Sequence, residues 1–266
     1  MASISINNRL TRFAQQSLVL GNNTLERERI ATSLSRLQRV LRDNLYNTAS
    51  EIKTFGSYTR NTILPRYFDA SSDVDMLVIF DTSNGVKAST TYRENILKAL
   101  APAYPKSVVK RSFPTVKLEL NHIMFDVVPC YKTQDRNGST FYIPDANGGW
   151  RTTVPKDLDV PLSQKNQAYG NNIVRNAIRL CKHWNAAHGR IFDSYELEKW
   201  IVNRYFYSGD DLYTKFLSLL KDKAYNIHSG TAQAIDWIEK YQGNWYQQAN
   251  EQKQLEWLQK LLPGLC

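Results

Sequence analysis

The sequence predicts an α+β protein, a mixed β-sheet with helices followed by a C-terminal helical domain. Three observations carry this. Short β-rich runs cluster between residues 73 and 129, helical patterns precede and interrupt them, and beyond Pro161 the apolar periodicity is helical almost to the end. The 266 residues fit about one and a half to two domains, and the composition shift divides them into 1–160 and 161–266.

From Asn23, NTLERERIATSLSRLQRVLRDNL opens on Asn23 with Glu26 three residues later, a capping-box pattern. Ile30, Leu34, Leu37, Leu41 and Leu45 then form one stripe of a long helix. Arg27, Arg29, Arg36, Arg39 and Arg42 occupy its other faces, either as a solvated surface or as a nucleic-acid contact, and the solvated reading is kept. After Phe55-Gly56-Ser57, the runs DVDMLVIF (73–80), SVVKRS (107–112), PTVKLEL (114–120) and HIMFDVVP (122–129) read as strands of one sheet. The helix TTYRENILKALAPA (90–103) lies between the first two, and the close spacing after residue 107 predicts local antiparallel pairing. Residues 138–160 read as a connection punctuated by Gly and Pro. Residues 171–188 place Ile173, Val174, Ala177, Ile178, Cys181 and Trp184 on one helical face and stop at Gly189. Further helices are expected at 194–207, 211–225, 231–242 and 249–262, and the tail LPGLC reads as a frayed end.

Hydrophobic residues at 42% and charged residues at 22% exclude a disordered or low-complexity chain. The net charge of +9 leans to residues 1–160 and suits an anionic partner: nucleotide, nucleic acid or membrane surface. Cys130, Cys181 and Cys266 include no CxxC pair, which argues against a disulfide framework or zinc ribbon and for a reducing compartment. No signal-peptide core and no run near the ~18 apolar residues of a membrane span are present, so the expectation is a cytoplasmic protein without a membrane partner.

The chemistry centres on Asp73-Val74-Asp75, at the head of the apolar run MLVIF. In a strand the period of two aims Asp73 and Asp75 to one face, about 7 Å apart, with Leu77 and Ile79 continuing that face. Half-buried carboxylates side by side repel unless a cation compensates, and the natural one for hard oxygen ligands is Mg²⁺, with Mn²⁺ as the alternative. Upstream, Gly56-Ser57-Tyr58-Thr59-Arg60-Asn61-Thr62 offers a glycine that lets backbone approach a phosphate and a serine hydroxyl with following amides to hold its oxygens. Downstream, Asp126 is a charge inside the apolar strand HIMFDVVP and needs a partner. Set beside Asp73 and Asp75, it completes three carboxylates able to hold two ions about 3.5–4 Å apart for in-line phosphoryl transfer. The alternative is an ion pair with a core cation such as Lys117.

Together, GSYTRNT, SSDVDMLVIF, FDVVPCY and YIPDANGGWRTTVP resemble the nucleotidyltransferase fold of the DNA polymerase β superfamily. More narrowly they resemble the cGAS/DncV-like nucleotidyltransferases (CD-NTases, SMODS group) of bacterial anti-phage signalling. NNIVRNAIRLCKHWNAAHGRIFDSYELEKWI is similar to the helical region of that group, whereas the chain after residue 207 matches no assignable part of it. The resemblance implies a polymerase β-like core and a helical domain that closes the nucleotide cleft. It makes Asp73 and Asp75 catalytic ligands shared by both metals and Asp126 the third, on the side of the incoming hydroxyl. Gly56 and Ser57 would grip the donor triphosphate, with Arg60 either supporting that turn or pairing with a local acid. Lys182 and Ser194 would reach the same phosphates, Ser194 also being placed to cap the helix after it. Asn166, Gln167 and Tyr169 would stand at the cleft, as base contacts or as an ordinary helix surface. His183, His188 and His228 lack ligand spacing with cysteine, so the zinc insertion of the animal cyclic GMP-AMP synthases is absent.

The implied enzyme is a two-metal nucleotidyltransferase that polymerises nucleoside triphosphates, ATP or other NTPs or dNTPs, into a short oligonucleotide second messenger in CBASS-type defence, releasing pyrophosphate. A cyclic di- or trinucleotide is the leading product. Linear oligonucleotides or oligodeoxynucleotides of the Hailong type, or transfer onto RNA or protein, are the alternatives. An effector would receive the product, a nucleic acid could act as activator or primer, and a monomer is expected. A catalytically dead nucleotide- or RNA-binding module is the reading from another class, set aside because all three aspartates are present.

Overall fold

The computed structural model describes residues 5–136, 138–207, 209–242 and 247–266. In chain order, α1 (Ile6–Arg12) continues into a π-turn (Phe13–Ser17) and a 3-10 turn (Leu20–Asn22). Then come α2 (Thr24–Leu45), β1 (Ala49–Phe55), α3 (Gly56–Thr59), β2 (Asp73–Phe80), α4 (Ser89–Leu100), β3 (Val108–Ser112), β4 (Thr115–Leu120), β5 (Ile123–Asp135), β6 (Gly138–Pro144) and β7 (Trp150–Thr153). The rest is helical: α5 (Asp159–Tyr169), α6 (Ile173–Ala187), α7 (Ser194–Val202), α8 (Leu212–Ala224), α9 (Ser229–Gln242) and α10 (Gln247–Leu261). The α+β class is the one expected. None of the helices is long and apolar enough to cross a membrane, among the described residues.

The chain forms two compact units. One holds Asn23–Arg66 and Ser71–Asp157; the other holds the described residues up to Asn22, Tyr67–Ala70 and Leu158–Cys266. This differs from a simple division at residue 160. The N-terminal stretch buries Leu10, Phe13, Ala14 and Leu18 within the helical unit, and Asn7 Oδ1 accepts a hydrogen bond from the Tyr213 amide at the start of α8 (3.1 Å). Ile6, Leu10, Phe13, Ala14 and Leu18 recur at helical spacing, but nothing local says which unit that face packs on.

In the sheet unit the strands run β1-β2-β5-β4-β3, with β6 on the far part of β5 and β7 on β6. Among the described residues only β2 and β5 pair in parallel. One face buries Val74, Met76, Val78 and Phe80 beside Val116, Leu118, Phe125 and Val127, and α4 covers it, Tyr92 stacking on Phe80 at 4.2 Å. The start of α2 is as its capping pattern predicts. Asn23 Oδ1 accepts from the Glu26 amide (3.2 Å) and its amide group donates to Glu26 Oε2 (2.9 Å). Ile30, Leu37, Leu41 and Leu45 are buried and Leu34 half-buried along the expected stripe.

In the helical unit α6 is buried nearly all round, with Val174, Ala177, Ile178, Leu180, Cys181 and Trp184 in the core and Asn176, Arg179, Lys182, His183 and Asn185 buried beside them. The sequence places one apolar face there. Arg179 is accommodated by bonding, donating to Asn176 Oδ1 (2.8 Å) and to the Ala14 carbonyl (3.3 Å). The helix stops at Gly189 as predicted, in the left-handed region at φ 85°, which glycine adopts without Cβ strain. The tail is not frayed: Leu262 and Leu265 are buried, His183 Nε2 contacts the Pro263 carbonyl (2.8 Å), and Gln259 donates to the Leu265 carbonyl (2.9 Å).

His228 precedes α9, and its Nδ1 accepts from the Thr231 amide at 3.1 Å while Thr231 Oγ1 lies 2.8 Å away. That cap requires an unprotonated Nδ1. Burial, followed by the neighbouring His188, lowers the His228 pKa, and burial likewise lowers that of His183. Both groups therefore take up protons more readily in the unfolded chain. Their stabilisation is complete above the ordinary histidine value of 6.5 and is lost as pH falls below it. Thermal melts from about pH 8 to pH 5 should show a falling Tm below about pH 6.5, and His228→Asn, which still caps α9, should reduce that acid-side loss. An unchanged pH profile in the variant would assign the loss to other groups.

Candidate active site

The site is built from the end of β1 outward. Phe55 pairs with Asp75 across the antiparallel β1–β2 ladder, and the chain turns at Gly56 with φ +77°. A Cβ on Gly56 would lie 2.1 Å from Asp75 Oδ2, so glycine is required twice, by conformation and by the carboxylate against its backbone. The single turn of α3 closes on itself. Thr59 Oγ1 donates to the Gly56 carbonyl (2.9 Å), and the Thr62 and Ile63 amides both donate to the Ser57 carbonyl (2.9 and 3.1 Å). Ser57 is half-buried and Arg60 buried.

The parallel β2–β5 pair sets Asp75 directly opposite Asp126 and Asp73 opposite Met124. Neighbouring strands lie about 4.8 Å apart, so Asp75 and Asp126 are adjacent on one face, with Asp73 two residues along it. The same face continues as the apolar cluster Leu77, Ile79, Val128 and Cys130, with Phe55, Phe141 and Ile143 packed on it. Burial there pushes the Cys130 thiol up to about 11. The acids thus stand at the border of a dry patch, where an uncompensated charge is costly.

Asp126 has a second neighbour. Lys117 of β4 is in register with it, and Lys117 Nζ lies 3.3 Å from Asp126 Oδ1. Burial raises the Asp126 pKa, Lys117 opposes this, and Glu119 adds to it. Oδ1 is buried and accepts no hydrogen bond of good geometry, and the ammonium acts on Asp126 more through charge than through hydrogen bonding. The ion pair with Lys117, the alternative reading of Asp126, is therefore present, and Asp126 also adjoins Asp75. Among the described residues no three acidic, histidine or cysteine side chains are gathered as a closed ligand set. Asp73, Asp75 and Asp126 share a face without converging on a point. Their hard oxygens and the under-satisfied Oδ1 fit a hard divalent cation.

The connection expected at 138–160 contains the hairpin β6–β7. Asp145 Oδ1 accepts from the Asn147 and Gly149 amides, both at 2.8 Å, and Ser89 Oγ donates to the Gly148 carbonyl (2.8 Å). Trp150 donates to the Lys87 carbonyl (3.3 Å) and packs edge-on against Tyr131 (4.9 Å), which stacks on Tyr142 (4.6 Å). Tyr131 pairs with Phe80, on the sheet face away from the aspartates. The YIPDANGGW motif therefore braces β5 and α4, a role its turn residues signal but its Trp alone does not.

Lys182 and Ser194 belong to the helical unit, Lys182 buried on α6 and Ser194 the first residue of α7. The cap of α7 is Asp193, whose Oδ1 accepts from the Tyr195 (3.0 Å) and Glu196 (2.9 Å) amides; Ser194 is not the cap. Asn166 is buried, bonded to Asn172 Oδ1 (2.7 Å) and to the Arg175 amide (3.2 Å), so its amide group is committed inside that unit. Gln167 is exposed and Tyr169 half-buried, 5.7 Å from Phe206.

Residues 4–166 match the model of the Second Messenger Oligonucleotide or Dinucleotide Synthetase domain, SMODS. The chain is 27% identical over 186 residues to a probable cyclic nucleotide synthase of Bacillus cereus (strain VD146), covering 66% of this chain and 55% of that protein. It is 27% identical over 160 residues to the CBASS oligonucleotide cyclase CdnC of Escherichia coli (strain KTE188), covering 57% and 49% respectively. It spans about half the length of these curated relatives. The structure of E. coli MS115-1 CdnC with ATP matches over 98% of both chains with a TM-score of 0.67 at 15% identity, a likeness of fold.

Gly56→Ala tests the turn. The Cβ must displace Asp75 or the turn itself, so phosphate-ligand binding should weaken by at least about tenfold and stability should fall by about 1–2 kcal/mol. Titration with a non-hydrolysable triphosphate, alongside a denaturant melt, measures both. Wild-type values for both would show that the carboxylate does not need the glycine.

Proposed function

Because this chain belongs to the family of second messenger oligonucleotide or dinucleotide synthetases, we propose that it joins nucleoside triphosphates into a short oligonucleotide messenger, releasing pyrophosphate. The observation that carries this reading is the register of Asp75 opposite Asp126, with Asp73 on the same face and the Gly56 turn against Asp75. The proposed product is cyclic, and the proposed role is anti-phage defence through an effector that receives it.

Asp73, Asp75 and Asp126 would hold the divalent ions, Mg²⁺ foremost. When bound, such ions supply neutralisation of the triphosphate and acidification of the attacking hydroxyl. The turn at Gly56 lets backbone come close to the donor phosphates, and the Ser57 hydroxyl donates to them. The acceptor's hydroxyl oxygen forms the new bond to the α-phosphorus, the bond to the β-phosphate oxygen breaks, and pyrophosphate leaves. The hydroxyl proton passes to Asp126, the carboxylate that the family resemblance puts on the side of the incoming hydroxyl. Arg60, Lys182 and Ser194 enter as phosphate contacts on the family resemblance alone.

Incubating the protein with Mg²⁺ and labelled NTPs or dNTPs, followed by phosphatase digestion and mass spectrometry, tests the reading. A phosphatase-resistant small product is expected, and Asp75→Asn should reduce its formation by at least about 10³-fold. A phosphatase-sensitive ladder would overturn the cyclic product and favour linear synthesis. A labelled RNA or protein would favour transfer onto a macromolecule, and activity retained in Asp75→Asn would overturn the site.

A further inference from the structure

Lys117, Asp126, Asp75 and Phe55 form one row across β4, β5, β2 and β1, each in register with the next. We propose that Lys117 is a resident counter-cation of the acidic face, neutralising Asp126 until a divalent ion takes that carboxylate, so that Lys117 sets how tightly the site binds metal. The inference rests on the metal reading of the three aspartates and deepens it.

Lys117 and Asp126 side chains are only 21% and 17% exposed, so water screens their interaction weakly. The pair at 3.3 Å lacks hydrogen-bond geometry at Oδ1. Its attraction is thus chiefly that of charges, which a divalent ion at the same oxygen would exceed. A lysine suits such an exchange because its ammonium is a compact point charge on a flexible stem. It also has somewhere to go. Glu119 lies two residues along β4 on the same face, and its carboxylate is already influenced by Lys117 while bonded to Lys110 at 2.6 Å. With no ammonium beside Asp126, its mostly buried carboxylate would lose the Lys117 charge that offsets its desolvation. Lys117 therefore stabilises the metal-free site and competes with the ion for it.

Mn²⁺ alone is the probe, with free ion measured by electron paramagnetic resonance in titrations of the full chain. Lys117→Met should bind Mn²⁺ about tenfold more tightly than wild type, and Mn²⁺ should raise its Tm further than it raises that of wild type. Lys117→Arg keeps the cation and the fold but offers a fork that grips a carboxylate through paired bonds, so it should bind Mn²⁺ several-fold more weakly. Lys132→Met removes an exposed cation of β5 that pairs with Glu51 and should change the affinity less than about twofold. Unchanged or weaker binding in Lys117→Met, tighter binding in Lys117→Arg, or an equal gain in Lys132→Met would each overturn the proposal. Wild type that binds no Mn²⁺, or Asp126→Asn that binds it equally well, would instead overturn the metal reading on which it rests.

Discussion

The parallel pairing of β2 with β5 is the constraint on which the site depends. Asp75 faces Asp126 only in this register, and a slip of one residue would set it against Phe125 and carry every other side chain to the wrong face. What opposes the slip is the cost of carrying Asp73 and Asp75 onto the buried face that α4 covers. Val74, Met76, Val78 and Phe80 fill one side while Leu77, Ile79, Val128 and Cys130 fill the other, so the apolar residues hold the acids in place. Gly56 adds a local lock, because only a residue without a side chain leaves space for the Asp75 carboxylate.

Charge on that face is balanced pair by pair and not by the net charge of the chain. Lys117 stands by Asp126, Lys110 by Glu119, and Lys53 and Lys132 by Glu51. The exposed pairs contribute little to stability, since water and salt screen them. The Lys117–Asp126 pair differs because it is mostly buried, and removing one partner would leave the other with a desolvated charge. The +9 of the whole chain is thus a statement about anionic partners at large, whereas the electrostatics of the site are set by a few neighbours.

The two units are organised differently. In the sheet unit a layered core places polar groups at strand ends, and the β6–β7 hairpin braces β5 through Trp150, Tyr131 and Tyr142. In the helical unit α6 is enclosed on nearly every side, and buried polar residues such as Asn176, Arg179 and Asn185 are bonded inside it. Arg179 bonding to Asn176 and to the Ala14 carbonyl illustrates this, as does the Trp184 indole donating to Thr231 Oγ1 at 3.0 Å.

Local signals in the sequence determined much of the architecture. Strand 73–80 has the predicted bounds, the cap at Asn23 starts α2, and Gly189 stops α6, because each rests on residues next to one another in the chain. β1 escaped notice because an edge strand with Glu51, Lys53 and Thr54 need not alternate apolar and polar. The hairpin was hidden within a run of Gly and Pro, and the N-terminal stretch shows where it packs only through residues distant in sequence. Sequence alone also singled out Asp73, Asp75 and Asp126 as candidates, since charges at those strand positions demand compensation. The tertiary structure decided which neighbours compensate Asp126. Strand order and register across the sheet are set by the burial of residues far apart in the chain, and that burial brought both Asp75 and Lys117 to its side.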